Sequence, residues 1–474
     1  MKRRDLIATA GVCAFGFSNF RPTQASEDSV YDVVVIGSGI AGFSAAVSAK
    51  QTGARKVLIL EKGPIIGGHS VFASGSLAFV DPKRQLAGVE DSVDLFVQDA
   101  RTVGGDIDEP MVRKIAQDSG AALDWLESMD VKLGKIPFTP YGGLRARCLS
   151  AQGSAGAKHY IVCLNAKASQ LGVEVRKLEP VVDLIPEEKY WQLTTHPKGK
   201  DEHTIVSKTV ILATGGFSAN VLMRQKYNDK LGATIMTTAN PQGRFFEGAT
   251  GDGHTMAFKL GAEPADMQNI LLLPYWGGRL LDYAGGEVYV DTLGHRFFDE
   301  TAPTQEIAKA VSKLPDKTFW VITDSQTVKG ANFGTKLAMG GIHKSDSVAE
   351  MAVAMGVTPS ELQKTLDRYN CFVKTGKDSD FGRKLFAQPI EKPPFYWGKE
   401  TLLVHGTLGG VKTDTKAQVL KTDQTEIPGL YAAGEIVGGV WGHDRLGGTA
   451  LMAGIVQGRE AGKNATTFAM GFLP

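Results

Sequence analysis

Apolar and polar positions near the start of the chain follow two periods in turn, which predicts a strand, a helix and a second strand. Residues 33–36 form a continuous apolar run, the pattern of a strand buried on both faces of a parallel sheet. A helical segment rich in small residues follows, and residues 57–60 form another apolar run. This succession predicts an α/β fold around a parallel sheet.

Glycines fill the turn between the first strand and the helix. Gly37, Gly39 and Gly42 have the spacing G-x-G-x-x-G, and Glu61 stands at the end of the second strand. Such glycines let the backbone approach a pyrophosphate, whose charge is stabilised by the N–H groups of the helix N-terminus. An acidic residue about twenty positions later binds ribose hydroxyls. The context favours a dinucleotide-binding unit over a chance match.

Glycine-rich segments like this one recur later in the chain. Residues 206–212 predict another buried strand ahead of a glycine turn, and further glycine-rich stretches lie at 251–253, 429–435 and 445–448. Residues 269–398 differ from the rest in composition, and glycine becomes less frequent towards their end. We interpret 269–398 as an inserted domain.

A helix with a marked start lies within the inserted segment. Thr358 is its predicted N-cap, Pro359 its first residue, and Glu361 closes a predicted capping box. The expected apolar face consists of Leu362, Leu366 and Tyr369.

Composition narrows the class of protein. With 43% hydrophobic and 22% charged residues, the chain is an ordinary globular one, which excludes disordered and collagen-like classes. The net charge of +1, with no basic run after residue 21, gives no reason to expect a nucleic-acid partner. A length of 474 residues predicts about two or three domains.

The first 25 residues predict an export signal. Arg3 and Arg4 precede an apolar stretch at 6–17, and the segment ends in small residues at Ala25. The stretch is too short to span a bilayer. Its arginine pair resembles the twin-arginine type, which exports folded proteins, so we expect a periplasmic protein that acquires a tightly held cofactor before export. The alternative is a chance basic and apolar start.

Three cysteines, Cys148, Cys163 and Cys371, remain beyond this segment, with no C-x-x-C spacing among them. This excludes a disulfide framework, a zinc cluster and covalent c-type haem. We expect buried free thiols and no metal site.

Six motifs occur in an order and spacing that resemble one superfamily. They are GSGIAGF, VILATGGFS, GDG, VHGTLGG, GLYAAGE and DRLGG. Over about residues 31–465 they resemble the fumarate reductase and succinate dehydrogenase flavoproteins, and most closely the soluble periplasmic flavocytochrome c branch, here without its haem domain. The resemblance implies an α/β fold, a Rossmann-like FAD-binding domain interrupted by an α+β capping domain. The expected limits are 1–25 for the signal, 26–268 and 399–474 for the FAD-binding domain, and 269–398 for the cap.

The resemblance also implies which residues contact FAD. Glu435 is expected to reach the ribityl or ribose hydroxyls. The full set is Gly37, Gly39, Ile40, Ala41, Gly42, Glu61, Lys62, Gly67, Gly68, His69, Ser70, Ala213, Thr214, Gly215, Asp252, Gly434, Glu435, Arg445, Gly448, Ala450 and Leu451.

His69 raises the question of how FAD is attached. Residues 68–71 resemble the segment in which membrane-bound family members bind FAD covalently through histidine. Non-covalent FAD is the expectation, and a covalent link through His69 is the alternative.

His405 and Arg445 match the family's carboxylate clamp. In the family, a flavin N5 hydride passes to one alkene carbon of an unsaturated carboxylate while a general acid protonates the other. Arginine offers a bidentate donor fork to a carboxylate. The alternative is a core histidine and a structural arginine.

Thr304 departs from the family pattern. It takes the place of the usual acid, an arginine beyond the G-x-R-F segment, and threonine cannot relay a proton as a guanidinium does. Leu273 stands where a carboxylate-binding histidine is expected. Because Leu272 and Leu273 lie near Tyr275, Trp276 and Tyr283, we hypothesise that the two leucines together suit a substrate with one carboxylate and an apolar or aromatic remainder. Candidates for the missing acid, which are otherwise loop or surface residues, are Tyr283, Tyr275, Arg279 and Arg244.

Together these features predict an FAD-dependent oxidoreductase that reduces the double bond of an unsaturated carboxylate, with electrons from a separate partner such as a c-type cytochrome. One alternative is a dehydrogenase that runs in the oxidising direction. The other is a non-catalytic electron-transfer subunit, which Thr304 favours and which the buried anion clamp of His405 and Arg445 disfavours. No membrane-spanning segment is expected.

Overall fold

A computed structural model describes residues 30–86, 88–152, 156–243, 246–276 and 280–471. The predicted export signal at 1–25 lies outside these residues, as do Arg244 and Arg279. The side chain of Tyr275 is also outside the description, although its backbone belongs to a strand.

Strands and helices alternate along the first part of the chain, as the apolar pattern predicts. The strands are β1 (Tyr31–Ile36), β2 (Val57–Glu61), β3 (Leu77–Ala78), β4 (Cys148–Leu149), β5 (Glu174–Lys177), β6 (Val181–Pro186), β7 (Trp191–Thr195), β8 (His203–Leu212), β9 (Pro264–Ala265), β10 (Ile270–Trp276), β11 (Val288–Val290), β12 (Thr318–Thr323), β13 (His343–Ser345), β14 (Phe395–Thr407), β15 (Gly410–Val411), β16 (Gln418–Leu420) and β17 (Glu426–Ala432). The helices are α1 (Ile40–Thr52), α2 (Val93–Gly104), α3 (Glu109–Glu127), α4 (Lys158–Gln170), α5 (Val221–Tyr227), α6 (Asp252–Lys259), α7 (Thr304–Ser312), α8 (Phe333–Ala338), α9 (Val348–Met355), α10 (Pro359–Thr375) and α11 (Thr449–Ala469), with a 3-10 turn at Gly68–Phe72.

The main sheet has β1 at its centre. β1 pairs in parallel with β2 and β8, and β5 and β17 extend the parallel set on the two sides. The strand order is β16-β17-β8-β1-β2-β5. The carboxyl ends of β1, β2 and β8 therefore meet at one edge, where open α/β sheets bind their ligands. The predicted α/β, Rossmann-like fold class is confirmed.

Helix α11 packs on α1, the helix that follows the first glycine turn. A Cβ added at Gly458 would lie 2.4 Å from the carbonyl oxygen of Ala41, so only glycine allows this approach. The hydroxyl of Ser48 donates to the carbonyl of Arg459 at 2.7 Å. Segments on either side of the cap therefore form one unit.

A second sheet, with the order β10-β14-β12-β11, combines strands of the inserted segment with β14, which begins in that segment and ends beyond it, and β13 also pairs with β14. Its pairs are antiparallel. β14 runs through residue 398, so one continuous strand connects the cap sheet to the FAD side. The domain limits themselves stay a prediction.

The helix predicted to start at Pro359 is α10, and its predicted apolar face is buried. Thr358 lies at the N-cap position, but its side chain forms no capping hydrogen bond. The carboxylate of Glu361 instead accepts a hydrogen bond from Lys364 at 2.8 Å, on the next helical turn. The predicted capping box is therefore wrong.

The cysteines also differ from expectation. Cys148 is buried and its burial raises its pKa, but Cys371 is exposed on α10. The expectation of buried thiols is confirmed for Cys148, but Cys163 is only partly buried and the expectation is wrong for Cys371. Among the helices that the structure describes, none combines the length and the apolar character needed to cross a bilayer.

Candidate active site

A cleft runs along the carboxyl ends of β1, β2 and β8 and continues beneath the cap. It brings together segments from both sides of the inserted domain. Predicted FAD residues on its wall are Gly37, Gly39, Ile40, Ala41, Glu61, Lys62, Gly68, His69, Ser70, Ala213, Thr214, Gly215, Asp252, Gly434, Glu435, Arg445, Gly448, Ala450 and Leu451.

The N-terminus of α1 opens on this cleft. Its N-cap is Gly39, which is extended and brings no side chain over the helix end. The N–H of Ile40 donates to Ser70 Oγ at 3.1 Å, and both residues line the cleft. Because a helix N-terminus carries partial positive charge, this geometry fits a pyrophosphate.

Gly42 and Gly67 are not among the described residues that line the cleft, and their contact with FAD stays a prediction. A Cβ added at Gly42 would lie 2.0 Å from the carbonyl oxygen of Gly37, which makes Gly42 a packing residue of the turn. Gly67 has a φ of 104° and donates its N–H to Ser38 Oγ at 3.0 Å. Both glycines support the residues of the cleft wall from the side that faces away from the cleft.

Glu61 is buried at the end of β2 and fixes the turn opposite. Its carboxylate accepts the hydroxyl of Ser38 at 2.5 Å, the N–H of Ser38 at 3.2 Å and the N–H of Gly63 at 2.7 Å. A carboxylate has about four acceptor positions. Glu61 therefore keeps capacity for about one further donor, such as a ribose hydroxyl.

Lys62 and Asp252 form an ion pair on the wall, with 2.6 Å between Nζ and Oδ2. Thr250 joins the pair as a hydrogen-bond partner of both. The three residues tie the end of β2 to the start of α6.

Glu435 is held by the end of β14. Its Oε1 accepts the N–H of Thr407 at 3.0 Å, and the neighbouring Gly434 donates its N–H to Gln457 Oε1 at 3.0 Å. The Thr407 bond engages Glu435 Oε1, and the expected contact of Glu435 with a cofactor hydroxyl stays a prediction.

His405 and Arg445 lie on the same cleft, so the structure brings the predicted clamp residues together. His405 is on β14, and its Nδ1 is hydrogen-bonded to Thr238 Oγ1 at 2.9 Å. Arg445 precedes α11, and its N–H donates to Asp444 Oδ1 at 2.8 Å. Thr238 thus orients the side chain of His405, and Asp444 fixes the backbone that carries Arg445.

The cap contributes an apolar wall from β10. Leu271 and Leu273 line the cleft, whereas Leu272 packs with the cluster around Phe217. Successive side chains of a strand point to opposite faces. The expectation that Leu272 and Leu273 act together is therefore corrected to Leu271 and Leu273.

Thr304 lies on the cleft wall, buried at the start of α7. Its hydroxyl donates to Asp444 Oδ1 at 2.8 Å, and the N–H of Gln305 donates to Asp444 Oδ2 at 3.0 Å. Asp444 is itself fully buried and also holds Arg445. Thr304 is thus a bridge between the cap and the Arg445 segment.

Tyr283 is not among the described residues that line the cleft, and its assignment as the acid stays a prediction. It packs partly buried in the cap cluster, where burial raises the pKa of its hydroxyl. The candidates Arg279 and Arg244, and the side chain of Tyr275, lie outside the described residues.

His69 lines the cleft with Nε2 3.6 Å from Glu247 Oε1. Burial opposes ionisation of Glu247, but the hydrogen bonds from His69 and Thr237 lower its pKa overall. An ionised carboxylate therefore orients the imidazole beside the cofactor cleft. This geometry leaves the mode of FAD attachment open.

Several residues of the cleft wall escaped sequence reasoning. They include Tyr141, Thr238, Asp282 and Lys336. None belongs to a glycine motif, and each comes from a segment brought in by long-range packing. The one signal for Lys336 is its place among apolar neighbours, Leu337 and Met339.

Comparison with known proteins gives a consistent result. The profile of the family described as "FAD binding domain" matches residues 32–451. A probable fumarate reductase of Shewanella frigidimarina is 34% identical, over 94% of this chain and 76% of the relative. The urocanate reductase of Eggerthella lenta is 33% identical, over 92% of this chain and 75% of the relative.

A solved structure agrees with the sequence comparison. The open conformation of a flavocytochrome c3 fumarate reductase matches with a TM-score of 0.72 and 32% identity, over 93% of this chain and 79% of that one.

Proposed function

The chain belongs to the family of flavoproteins that carry this FAD binding domain, and from that premise we propose that it reduces the carbon–carbon double bond of an unsaturated carboxylate. The chain is an FAD-dependent oxidoreductase whose relatives include reductases of fumarate and urocanate. When bound and reduced, FAD supplies the hydride. One observation carries the proposal: the clamp residues His405 and Arg445 share a cleft with the FAD residues.

Arg445 and His405 have separate roles in binding the substrate carboxylate. Arg445 binds the substrate carboxylate, and its backbone bond to buried Asp444 fixes the segment that carries it. His405, oriented by Thr238, donates a second hydrogen bond to the same carboxylate. Holding the carboxylate in place sets the alkene carbons at a fixed distance from the cofactor.

The opposite wall favours an apolar substrate end. Leu271 and Leu273 face the cleft from the cap. A second carboxylate placed against these two leucines would lose its hydration, and neither side chain can donate a hydrogen bond to it, which is costly. We therefore propose a monocarboxylic enoate with an apolar remainder as the preferred substrate.

The setting of the reaction is also part of the proposal. The arginine pair and apolar stretch in residues 1–25 support export to the periplasm. A separate redox protein, such as a c-type cytochrome, reduces the flavin there. Release of all flavin on acid precipitation is the expected behaviour of a non-covalent cofactor.

Reoxidation of the reduced flavoprotein by a panel of acids tests this function. The panel is acrylate, methacrylate, cinnamate, urocanate and fumarate, followed anaerobically by flavin absorbance. We expect reoxidation by at least one monocarboxylic enoate, faster than by fumarate. Arg445→Met is expected to raise the half-saturating concentration at least about tenfold, since a charge-assisted bond contributes about 1.5–3 kcal/mol.

A faster reaction with fumarate would overturn the monocarboxylate preference. Failure of every acid to reoxidise the flavin would favour the non-catalytic electron-transfer role instead.

A further inference from the structure

Helix α8 of the cap has its apolar and charged positions reversed. Lys336 is only 6% exposed, whereas its neighbours Leu337 and Met339 are 37% and 48% exposed. Lys336 is the one buried residue between Gly334 and Gly340. An amphipathic helix that served packing alone would turn leucine inward and lysine outward.

Burial of an ammonium group is costly, so a buried lysine is paired, serves a function, or both. Lys336 lies on the wall of the same cleft as His405 and Arg445, and it enters from the cap side. Local violations of the hydrophobic pattern are expected where function overrides packing. The reversed helix therefore points to a role for Lys336 in the cleft.

The reaction proposed above lacks a proton donor at its usual place. Thr304 donates its hydroxyl to Asp444 at 2.8 Å and carries no charge. Tyr283 is not on the cleft wall that the structure describes. His405 and Arg445 are assigned to the carboxylate. Lys336 supplies a cation from the cap, the part of the fold that also carries Thr304.

We infer that Lys336 is the proton donor of this reduction, an inference that rests on the function proposed above. The hydride supplied by the reduced cofactor adds with its electron pair to one alkene carbon. The π electrons then form a bond between the other carbon and a proton of the Lys336 ammonium group. Lys336 is left as a neutral amine, which regains a proton from water, and the cofactor is left oxidised by two electrons.

The test separates proton transfer from substrate binding. General acids contribute about 100-fold to 10,000-fold to a rate, so Lys336→Met is expected to lower kcat for the best enoate at least about 100-fold. The dissociation constant of the corresponding saturated acid, titrated into the oxidised flavoprotein, is expected to change less than about threefold. Lys336→Arg keeps a cationic donor and is expected to recover part of kcat.

Two further variants serve as comparisons. Lys364→Met removes an exposed lysine of α10 and is expected to leave kcat and flavin content unchanged. Tyr141→Phe removes the hydroxyl of a buried tyrosine on the cleft wall. A loss of kcat in Tyr141→Phe without a loss in Lys336→Met would assign the proton to Tyr141 and overturn the inference.

Chemical rescue covers the case in which Lys336→Met loses flavin or fails to fold. Lys336→Cys, treated with 2-bromoethylamine, regains an ammonium group at nearly the same position. A rise in kcat of Lys336→Cys on treatment, with no such rise in equally treated wild type, supports the inference, and no recovery in a flavin-loaded protein overturns it.

Other outcomes separate the inference from the function on which it rests. Wild-type kcat in Lys336→Met would overturn the donor role and keep the reductase function. A tenfold weaker binding of the saturated acid with kcat retained would make Lys336 a substrate anchor. If no enoate reoxidises the wild-type flavoprotein, both the reductase function and the donor role of Lys336 are overturned.

Discussion

Asp444 offers the sharpest test of how the cap is joined to the FAD side. It is fully buried and accepts three hydrogen bonds, from Thr304 Oγ1 at 2.8 Å, Gln305 N at 3.0 Å and Arg445 N at 2.8 Å. Two of these donors open helix α7 of the cap. Asp444→Ala should therefore loosen the cap and destabilise the fold.

The magnitude follows from the donors left behind. Thr304→Val removes one hydrogen bond together with its donor, which costs about 1 kcal/mol. Asp444→Ala leaves three donors unpaired, one buried at Thr304 and two partly buried at Gln305 and Arg445, at about 1–3 kcal/mol each. Loss of a negative charge at the N-terminus of α7 adds about 0.3–1 kcal/mol. We therefore expect Asp444→Ala to destabilise the protein by at least about 3 kcal/mol, three times the effect of Thr304→Val.

Urea unfolding measures this difference. The flavin-loaded protein is followed by tryptophan fluorescence and by flavin release, with Asp423→Ala as a control for loss of an exposed aspartate. The control is expected to change stability by less than about 0.5 kcal/mol. Asp444→Ala should also weaken binding of a saturated carboxylic acid, because Arg445 loses its backbone anchor. An effect of Asp444→Ala no larger than that of Thr304→Val would refute the reasoning.

Three further predictions concern the FAD side. Gly42→Ala places a Cβ 2.0 Å from the Gly37 carbonyl oxygen and should lower flavin absorbance per chain severalfold. The control Gly232→Ala, whose Cβ lies 3.4 Å from its nearest atom, should retain full flavin. Equal flavin content in the two variants would contradict the steric argument. Burial lowers the pKa of His254 from 6.5 to about 4, so the unfolded chain takes up a proton that the folded protein does not. Stability should then fall by on the order of 3 kcal/mol as the pH drops from 6.5 to about 4, and an identical fall in His254→Leu would exclude this cause. Trichloroacetic acid should release all flavin from wild type and from His69→Asn alike; flavin retained by precipitated wild type alone would show a covalent link.

The FAD side of the cleft was predictable because its signals are local in sequence. The turn after β1 needs glycines at the positions where the backbone itself approaches the cofactor. Glu61 follows at a spacing that is fixed by the lengths of the helix and the strand before it. Burial of β1 and β8 follows directly from their apolar runs. The sequence does not separate a glycine such as Gly42, which packs behind the cleft wall, from a glycine that lines it, because the two look alike in sequence.

The cap side of the cleft was less predictable. Lys336, Tyr141 and Thr238 reach the wall through packing between segments far apart in the chain, which periodicity does not encode. A lysine in a short helix is normally solvent-exposed, so its burial emerges only from the three-dimensional arrangement. Thr304 shows the same limit, since its departure from the family pattern is visible but its bond to Asp444 is not.

The contact between α1 and α11 has a consequence for the making of the protein. Ser48 and Arg459 are 411 residues apart in the chain, so at about 5–20 residues per second the partner of α1 is synthesised about 20–80 seconds later. Throughout that interval the face of α1 that Gly458 contacts in the complete protein has no helix packed against it, although the N-terminus of α1 is the expected pyrophosphate site. Flavin capture therefore reports on completed synthesis, and a chain truncated before α11 should remain colourless.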